Sequence, residues 1–402
     1  MALCMSQNAQ AQRHAVYADN IATLQVVADN DWLNIPAIEL GSRSHISISF
    51  DELSHTYHRY SYTVTHCEAD WNESTELFTS DYIEGFQSGA TIDDLEESIN
   101  TNQLYTHYTL NLPNERCSFR MSGNYRCDVI DEETLDTVLT ARFYVVEPLV
   151  RTSALKLVDT DIDIRKSHQQ LDVRIDYPQS LTTTDPRRQF TVKVMQNERV
   201  DNMRTLSPAP QLMHNAMQWT HSRELIFDAG NEYHKYEFLD VHRNSLGVEH
   251  IRWDGETYHI DIFHDTPRRN YVYDEDANGS FLVRNSDNIE VNTATEYAVT
   301  HFYLDTPPLQ GDVYIEGKWT LNDISEKYLM TYNEQQHCYE IALPLKMGYY
   351  SYQYLYVPYG STKATVCPTE GSFFETENTY TVLTYYRGNI DRATRLVGIK
   401  TF

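Results

Sequence analysis

Long apolar segments, basic clusters and catalytic signatures are all missing from this 402-residue chain. No stretch approaches the roughly 18 consecutive apolar residues that a membrane-spanning helix needs. The formal net charge is −26, and no basic run offsets it. Because nucleic acid phosphates are also negative, we do not expect DNA or RNA as a partner. The acidity instead suits a solvated surface, a cationic partner or cation binding.

Motifs that mark common enzyme families are also absent. The chain contains no nucleophile elbow, phosphate-binding glycine loop, dinucleotide fingerprint or His-Glu-x-x-His zinc helix. These absences favour a protein without catalytic residues, a cofactor or a metal.

Cysteine spacing excludes another group of sites, because no two cysteines form a Cys-x-x-Cys pair and a zinc ribbon or thioredoxin-type site is unsupported. Cys117 and Cys127 flank the turn-forming residues 122–124. Two arrangements remain open for them, a disulfide across a hairpin or two buried thiols.

The first residues predict export. Met1–Met5 is a short apolar remnant, and residues 9–11 (Ala-Gln-Ala) have the small-residue pattern of a signal-peptidase site. We interpret residues 1–11 as a signal-peptide remnant whose start is missing, with an ordinary flexible terminus as the alternative. Lipidation of Cys4 is disfavoured because Leu3 stands where a small residue is needed.

Aromatic residues are abundant, at 12% of the chain, with 30 tyrosines against 9 methionines. Tyr, Thr and Val favour the half-buried surface of a strand. Strand-like alternation recurs along the chain, for example over residues 44–50, where Ile46, Ile48 and Phe50 share one face. Many short strands separated by turns predict an all-β fold of tandem antiparallel β-sandwiches, Ig-like or early-set-like.

The chain length suits two or three such domains. We place the boundaries at 12–148, 149–295 and 296–402. One short helix is predicted in the first domain, over Ile92–Ile99, because Leu95 and Ile99 lie one turn apart above a polar side.

Two groups of potential metal ligands do not meet the spacing that an ion requires. His58 and His66 would share one face of a strand, but eight residues separate them by roughly 26 Å. Residues 274–279 resemble the start of a calcium loop, but Asn285 stands where the bidentate Glu is needed. Sheet packing and a tight turn are the favoured interpretations.

Several stretches that combine aromatic and polar residues recur through the chain. In the first unit they are His58–Tyr62, His66–Trp71, Tyr82–Phe86, Ser98–Thr101, Tyr105–Tyr108, Leu112–Pro113 and Ser122–Tyr125. In the later units they are Gln196–Arg199, Gly230–Glu232, Tyr314–Gly317, Leu345–Tyr350, Glu370–Ser372 and Glu375–Asn378. Together these stretches resemble the type 9 secretion plug family of the Bacteroidetes, and the His-Cys-x-x-Asp-Trp element is its most specific part.

The resemblance implies a non-enzymatic periplasmic protein at the inner side of the outer membrane, a monomer when free. It would dock on the translocon β-barrel and close its periplasmic opening. We expect the contact in the first unit, where the motifs are densest. The residues implied are His58, Arg59, Tyr60, His66, Cys67, Asp70, Trp71, Tyr105, His107 and Tyr108. The alternative is that these aromatic residues are core and that the His-Cys element is a buried corner.

The third unit also resembles an early-set glycan-binding module. The side chains that could stack on a sugar are Trp319, Tyr350, Tyr352 and Tyr354, the last three on one face of a strand. A cell-envelope glycan-binding protein is therefore the second hypothesis. The alternative for this row is that it belongs to the core.

Overall fold

Strands make up nearly all of the regular structure in the computed structural model, which describes residues 13–402. The all-β prediction is confirmed. The predicted signal-peptide remnant, with Cys4, lies outside the described residues. Between residues 13 and 402, no helix has the length and apolar character to cross a membrane.

Domain 1 is a sandwich formed by the first part of the chain. Its strands are β1 (Ala15–Val16), β2 (Ile21–Ala28), β3 (Ala37–Glu39), β4 (Ile46–Glu52), β5 (Tyr60–Cys67), β6 (Ile83–Gly85), β7 (Ser88–Thr91), β8 (Asp94–Glu97), β9 (Thr106–Leu112), β10 (Cys117–Phe119), β11 (Gly123–Asp131) and β12 (Thr137–Val146). A single-turn helix, α1 (Thr79–Tyr82), precedes β6. The sheet β1-β12-β11-β5-β7 faces the sheet β2-β4-β9-β8. The alternation of apolar and polar residues along β4 accounts for this part of the core, since Ile46, Ile48 and Phe50 are all fully buried in it.

The helix predicted over Ile92–Ile99 is wrong, because this segment contains the strand β8 and the domain's short helix lies earlier, at α1. β8 pairs with β9 along an edge of the sheet. Eight residues are too few to form a stable isolated helix, whereas strand pairing satisfies their backbone groups. The acidic side chains are exposed, as is common at sheet edges, where charge discourages further pairing.

The remaining strands follow in chain order. They are β13 (Arg151–Leu157), β14 (His168–Asp176), β15 (Phe190–Gln196), β16 (Arg204–Thr205), β17 (Gln211–Met213), β18 (Ala216–Trp219), β19 (Ile226–Asp228), β20 (His234–Phe238), β21 (Val248–Trp253), β22 (Tyr258–Ile262), β23 (Phe281–Val283), β24 (Tyr297–Asp305), β25 (Gly311–Glu316), β26 (Thr331–Asn333), β27 (Cys338–Lys346), β28 (Gly348–Pro358), β29 (Thr365–Val366), β30 (Tyr380–Tyr386) and β31 (Arg395–Thr401). Short helical turns add α2 (Pro186–Gln189) and three 3-10 segments, Arg223–Leu225, Lys318–Thr320 and Glu326–Tyr328.

The second sandwich, domain 2, is completed by the end of the chain. One sheet is β13-β14-β18-β17, with β19 beside β14, and the other is β16-β15-β30-β31. β15 and β30 pair directly, with Phe190 opposite Tyr386. The strand pairing therefore departs from the predicted division at 295, because the last strands belong with the second sandwich.

Domain 3 is inserted between the two parts of domain 2. One of its sheets is centred on β28, which pairs with β20, β23, β25 and β29, and the other is β21-β22-β24-β27-β26. Its core is rich in aromatic rings, among them Tyr236, Phe302 and Tyr350.

Cys117 and Cys127 do not form the hairpin disulfide, and the buried-thiol alternative holds. Cys117 lies opposite Gly85 in the two-stranded β10–β6 sheet. Cys127 lies between Val64 and Ala141 in the main sheet. The two residues belong to different sheets, so the turn between them does not place them face to face.

Candidate partner-binding surface

Two tyrosines of the predicted contact set pack inside domain 1. Tyr60 and Tyr108 are 1% and 0% exposed. Their rings meet edge to face with centroids 5.0 Å apart, and Phe50 stacks on Tyr108 at 5.2 Å. The Tyr108 hydroxyl donates a hydrogen bond to the backbone carbonyl of His58 at 3.0 Å. These rings therefore stabilise the core and shape the loop before β5.

His66 forms a buried corner at the end of β5. One ring nitrogen, Nδ1, lies 2.8 Å from the Ser74 hydroxyl oxygen, and the other, Nε2, lies 3.2 Å from the Ser122 carbonyl oxygen. Burial lowers the pKa of His66 below its usual value. A Cβ atom at Gly123 would lie 2.1 Å from Nε2, so a glycine is required where the next strand passes the ring.

Trp71 lies at the junction between domains 1 and 2. Its ring meets Tyr144 edge to face at 5.3 Å, with the Arg142 guanidinium 5.6 Å from the ring centroid. The buried cluster around it joins side chains of both domains: Ile35, Cys67, Trp71, Tyr144, Met195, Leu383, Tyr385 and Leu396. We call this cluster the 1–2 joint.

Polar contacts support the 1–2 joint on both sides of Trp71. The Thr394 amide donates to the Glu68 carboxylate at 3.0 Å. The Tyr385 hydroxyl donates to the Asn124 side-chain oxygen at 2.9 Å. The His-Cys-x-x-Asp-Trp element therefore connects two domains.

Tyr105 and His107 lie at the junction between domains 1 and 3. There the Lys346 ammonium lies 2.6 Å from an Asp51 carboxylate oxygen, and the two side chains are 1% and 0% exposed. The same ammonium lies 3.9 Å from the centroid of the Tyr105 ring. His107 Nδ1 lies 2.6 Å from the other Asp51 oxygen, and the Tyr297 hydroxyl donates to Asp51 at 2.6 Å. We call this network the 1–3 joint.

The 1–3 joint keeps Asp51 ionised. Burial alone would raise the pKa of Asp51, because a charged group loses its hydration. The attraction of Lys346, with the hydrogen bond from His107, outweighs burial and holds that pKa below its usual value. Burial also lowers the pKa of Lys346, and the attraction of Asp51 opposes that effect.

Three of the ten predicted contact residues reach solvent. Arg59 and Asp70 are exposed and His58 is half-buried. The other seven are buried: Tyr60, His66, Cys67, Trp71, Tyr105, His107 and Tyr108. Side chains that solvent does not reach offer no surface to a partner in this conformation. Their predicted role as direct contacts is therefore corrected to a structural one, in the core and in the joints.

Two loops that carry exposed apolar side chains meet beside Arg59 at one end of domain 1. They are the loop 53–59 between β4 and β5 and the hairpin loop 132–136 between β11 and β12. Tyr57 is 68% exposed and Leu135 is 77% exposed. The two loops are joined by a backbone hydrogen bond from the Glu132 amide to the Arg59 carbonyl at 3.0 Å. An ion pair also joins the side chains of these two residues, with Arg59 Nε 3.3 Å from a Glu132 carboxylate oxygen. We call Tyr57, Arg59 and Leu135 the tip surface.

Leu135 is the least favourable residue of the tip surface for the free protein. Its φ of +63° places it in the left-handed region, which costs a branched L-residue about 1–2 kcal/mol. Its apolar side chain gains nothing from burial in return. Strained and exposed apolar residues are often found where a partner binds, so Leu135 is a candidate contact.

The aromatic row predicted to stack on a sugar is buried. The exposed fractions are 8% for Trp319, 2% for Tyr350, 3% for Tyr352 and 0% for Tyr354. The hydroxyls of Tyr352 and Tyr354 donate to the same oxygen of Asp265, at 2.8 and 2.7 Å. Both faces of this strand are covered, so the prediction of an exposed glycan platform is wrong and the core interpretation holds.

A cavity of about 540 Å³ lies between domains 1 and 3. Trp319 and Tyr350 form part of its wall, and most of the lining side chains are apolar. Its charged lining residues are Asp19 and Lys327. The rings therefore border a mainly apolar space and do not form an exposed aromatic platform on which a sugar could stack.

The residues that sequence reasoning missed had weak signals. Lys346 stands between Leu345 and Met347, so a charge within an apolar run could have indicated a buried pair. Leu135 is the one apolar residue among the polar residues of its hairpin loop 132–136. No local pattern identifies Asp51 as the partner of Lys346, because the two lie far apart in the chain.

The fold and its joints define a three-sandwich, all-β protein whose domains are held together by buried contacts. Residues 21–147 match the family model described as the type 9 secretion system plug protein first domain. Domain 1 of this chain is therefore a type 9 secretion system plug protein first domain, and this match supports a plug-like role in the envelope.

One solved structure is similar to this protein over nearly the whole chain. A hypothetical protein from Parabacteroides merdae is 39% identical, covers 97% of this chain over 98% of its own length, and superimposes with a TM-score of 0.93. The C-terminal domain of the Streptococcus agalactiae AgI/II polypeptide BspA covers 94% of this chain and 98% of its own, at 7% identity and a TM-score of 0.15, too low to indicate a shared fold. No curated protein matches the chain.

Proposed function

We propose that this protein is a non-enzymatic periplasmic plug that docks on the outer-membrane translocon β-barrel of the type 9 secretion system. In the docked state it closes the periplasmic opening of the barrel. The free protein is a monomer, and the tip surface supplies the central contact.

The observation that carries the proposal is the tip surface on the domain that matches the plug family. Tyr57 and Arg59 belong to residue types that are enriched at the centres of protein interfaces. Leu135 presents an apolar side chain from a strained backbone position. Burial of these side chains in a partner would recover energy that the free protein does not gain.

The charges around Leu135 suggest the character of the partner site. The hairpin loop that carries it also holds acidic residues, Glu132, Glu133 and Asp136. A complementary site would be an apolar pocket with a basic rim, because opposite potentials steer association and like charges oppose it.

The two joints support the closure of an opening by a single body. A plug made of loosely linked domains would lose conformational freedom on docking, and that loss weakens binding. In this protein the 1–2 joint and the 1–3 joint already bury their side chains before any partner binds. Release then requires only that the open translocon binds the plug less well than the closed translocon does.

The test is a pull-down of the barrel from an outer-membrane fraction of the source bacterium, with the tagged full-length chain as bait. Leu135→Asn is the informative variant, because asparagine tolerates the left-handed backbone and removes the apolar contact. Ile390→Asn is the matched control, since Ile390 is 94% exposed on a loop of domain 2. Recovered barrel is quantified at equal bait loading.

We expect the wild type and Ile390→Asn to recover the barrel equally and Leu135→Asn to recover at least about tenfold less, as for a central interface residue. Equal recovery by all three would refute docking through the tip surface. A loss confined to Ile390→Asn would place the contact on domain 2. Recovery of no barrel by any bait would refute the plug proposal itself.

A further inference from the structure

A histidine, an aspartate and a cysteine converge at one edge of domain 3. Asp305 ends β24 and Cys338 begins β27, and the two residues are directly opposite each other in the antiparallel pair. Directly opposed residues place their side chains on the same face of a sheet. Their carboxylate and thiol are therefore neighbours by register.

His264 is brought to the same place by the segment that follows β22. The Asp265 amide donates to the Tyr303 carbonyl at 3.0 Å, and the Asp305 amide donates to the Asp265 carbonyl at 2.8 Å. The His264 ring stacks on Tyr303 with centroids 4.4 Å apart. These contacts hold the imidazole with Nδ1 2.8 Å from an Asp305 carboxylate oxygen.

The three donor atoms have the spacing of a metal site. One nitrogen of His264, one oxygen of Asp305 and the sulfur of Cys338 lie within 4.8 Å of one another. Zinc bonds of about 2.0–2.3 Å in tetrahedral geometry place ligand atoms roughly 3.3–3.8 Å apart. Side-chain adjustments of about 1 Å would therefore bring all three onto one ion.

Solvent access to the ligands and the weakness of the existing contact of the Cys338 sulfur also favour an ion at this position. The side chains of His264 and Asp305 are 38% and 44% exposed, so an ion can enter from solvent and keep a water as its fourth ligand. Cys338 is buried beneath them, and its sulfur has a weak contact with Gln336 at 3.8 Å. That contact would cost little to replace.

We propose that His264, Asp305 and Cys338 bind one zinc ion. Imidazole, carboxylate and thiolate are the ligand types that zinc combines in proteins, whereas magnesium and calcium prefer oxygen ligands alone. On binding, the Cys338 thiol loses its proton to solvent and the sulfur forms the metal bond. The ion connects the segment after β22 to the β24–β27 pair and so stabilises that edge of domain 3.

The test uses cobalt(II) as a spectroscopic substitute for zinc on the reduced full-length protein. We expect one cobalt ion per chain, a thiolate-to-cobalt absorption band in the near ultraviolet, and loss of that band when zinc is added. Cys338→Ser should abolish the band, and Cys367→Ser, which removes another buried thiol of domain 3, should retain it. His264→Gln should weaken zinc binding by about tenfold or more, measured by calorimetry.

His264 is partly exposed, so His264→Gln is expected to fold even if Cys338→Ser does not. Zinc should also raise the melting temperature of the wild type and not that of His264→Gln. Unchanged zinc affinity in His264→Gln, or a sulfur band that survives in Cys338→Ser, would overturn the proposal. Binding without any sulfur band would indicate only adventitious ions on the acidic surface.

Discussion

Lys346 is the residue on which the contact between domains 1 and 3 depends most directly. Its ammonium is buried against Asp51 and the Tyr105 ring. Removing two charges from water costs energy that their attraction only partly returns, so such a pair contributes orientation more than net stability. Removing one partner is different, because the other charge then stays buried without compensation.

Lys346→Met should therefore destabilise the protein strongly, by about 3–5 kcal/mol. Urea unfolding at neutral pH measures the free energy of unfolding. The double variant Lys346→Met with Asp51→Asn should lose less than the single variant, because no isolated carboxylate remains buried. A single variant that unfolds at the same urea concentration as the wild type would contradict the described 1–3 joint.

His234 gives the protein a predictable response to alkaline pH. Its ring lies between two carboxylates, with Nδ1 2.8 Å from Asp265 and Nε2 3.0 Å from Glu370. Burial acts to lower the pKa of His234, but the two carboxylates outweigh burial and raise that pKa from 6.5 to about 9. The folded state therefore holds a proton that the unfolded chain releases near neutral pH.

The stability that His234 contributes should be complete below about pH 6.5 and should disappear as the pH rises through about 9. The whole contribution is roughly 3 kcal/mol. Urea unfolding of the wild type and of His234→Gln at several pH values measures it, since titrating groups outside the His234, Asp265 and Glu370 cluster are the same in both proteins. We expect a large difference in stability at pH 6 and a small one at pH 9.5. A difference that is constant with pH would contradict a protonated His234 in the folded state.

At the scale of single elements, the hairpin between β11 and β12 has the clearest conflict between stability and the proposed docking function. Leu135 occupies a left-handed position in its loop while exposing an apolar side chain. A hairpin selected for stability alone would carry asparagine or glycine there.

Leu135→Asn should raise the free energy of unfolding by about 1 kcal/mol, because the backbone strain is relieved and no buried contact is lost. Urea unfolding compared with wild type measures it, and Ile390→Asn serves again as the exposed control, with little expected change. A destabilised Leu135→Asn would mean that the leucine packs within the free protein, and the tip surface would lose its central argument.

Elements whose alternation matches one buried face were predictable from sequence. Ile46, Ile48 and Phe50 share a face in β4, and all three are in the core. The row Tyr350, Tyr352 and Tyr354 also shares a face, but its exposure was not predictable, because that depends on which other strands cover the sheet. The helix predicted around Leu95 was wrong because the helical spacing there spans too few residues to outweigh strand pairing with β9.

At the scale of the whole molecule, long-range pairing limited the prediction. β30 pairs with β15 although all of domain 3 lies between them in the sequence, and no local sequence pattern predicts so distant a partner. The candidate site was limited in the same way. A family resemblance marks residues that the family uses, and Trp71 and Tyr105 are used to join domains. Exposure, which separates a joint from a partner contact, becomes known only once all three domains are placed.

The two joints predict cooperative unfolding of the whole molecule. Differential scanning calorimetry of the wild type should give one transition, because domain 1 shares buried contacts with both other domains. Trp71→Ala removes the largest side chain of the 1–2 joint and should cost about 3–5 kcal/mol. In that variant domain 1 should melt separately, at a lower temperature. Separate transitions in the wild type would contradict the prediction that the two joints make the three domains unfold together.

Conductance of the purified barrel in a planar bilayer would test the proposed closure of the translocon by this protein. Addition of the wild-type protein to the periplasmic side should reduce the open-pore conductance to near the baseline of the bare membrane. Leu135→Asn should require at least about tenfold more protein for the same block. Full conductance at saturating wild-type protein would mean that this protein does not close the translocon.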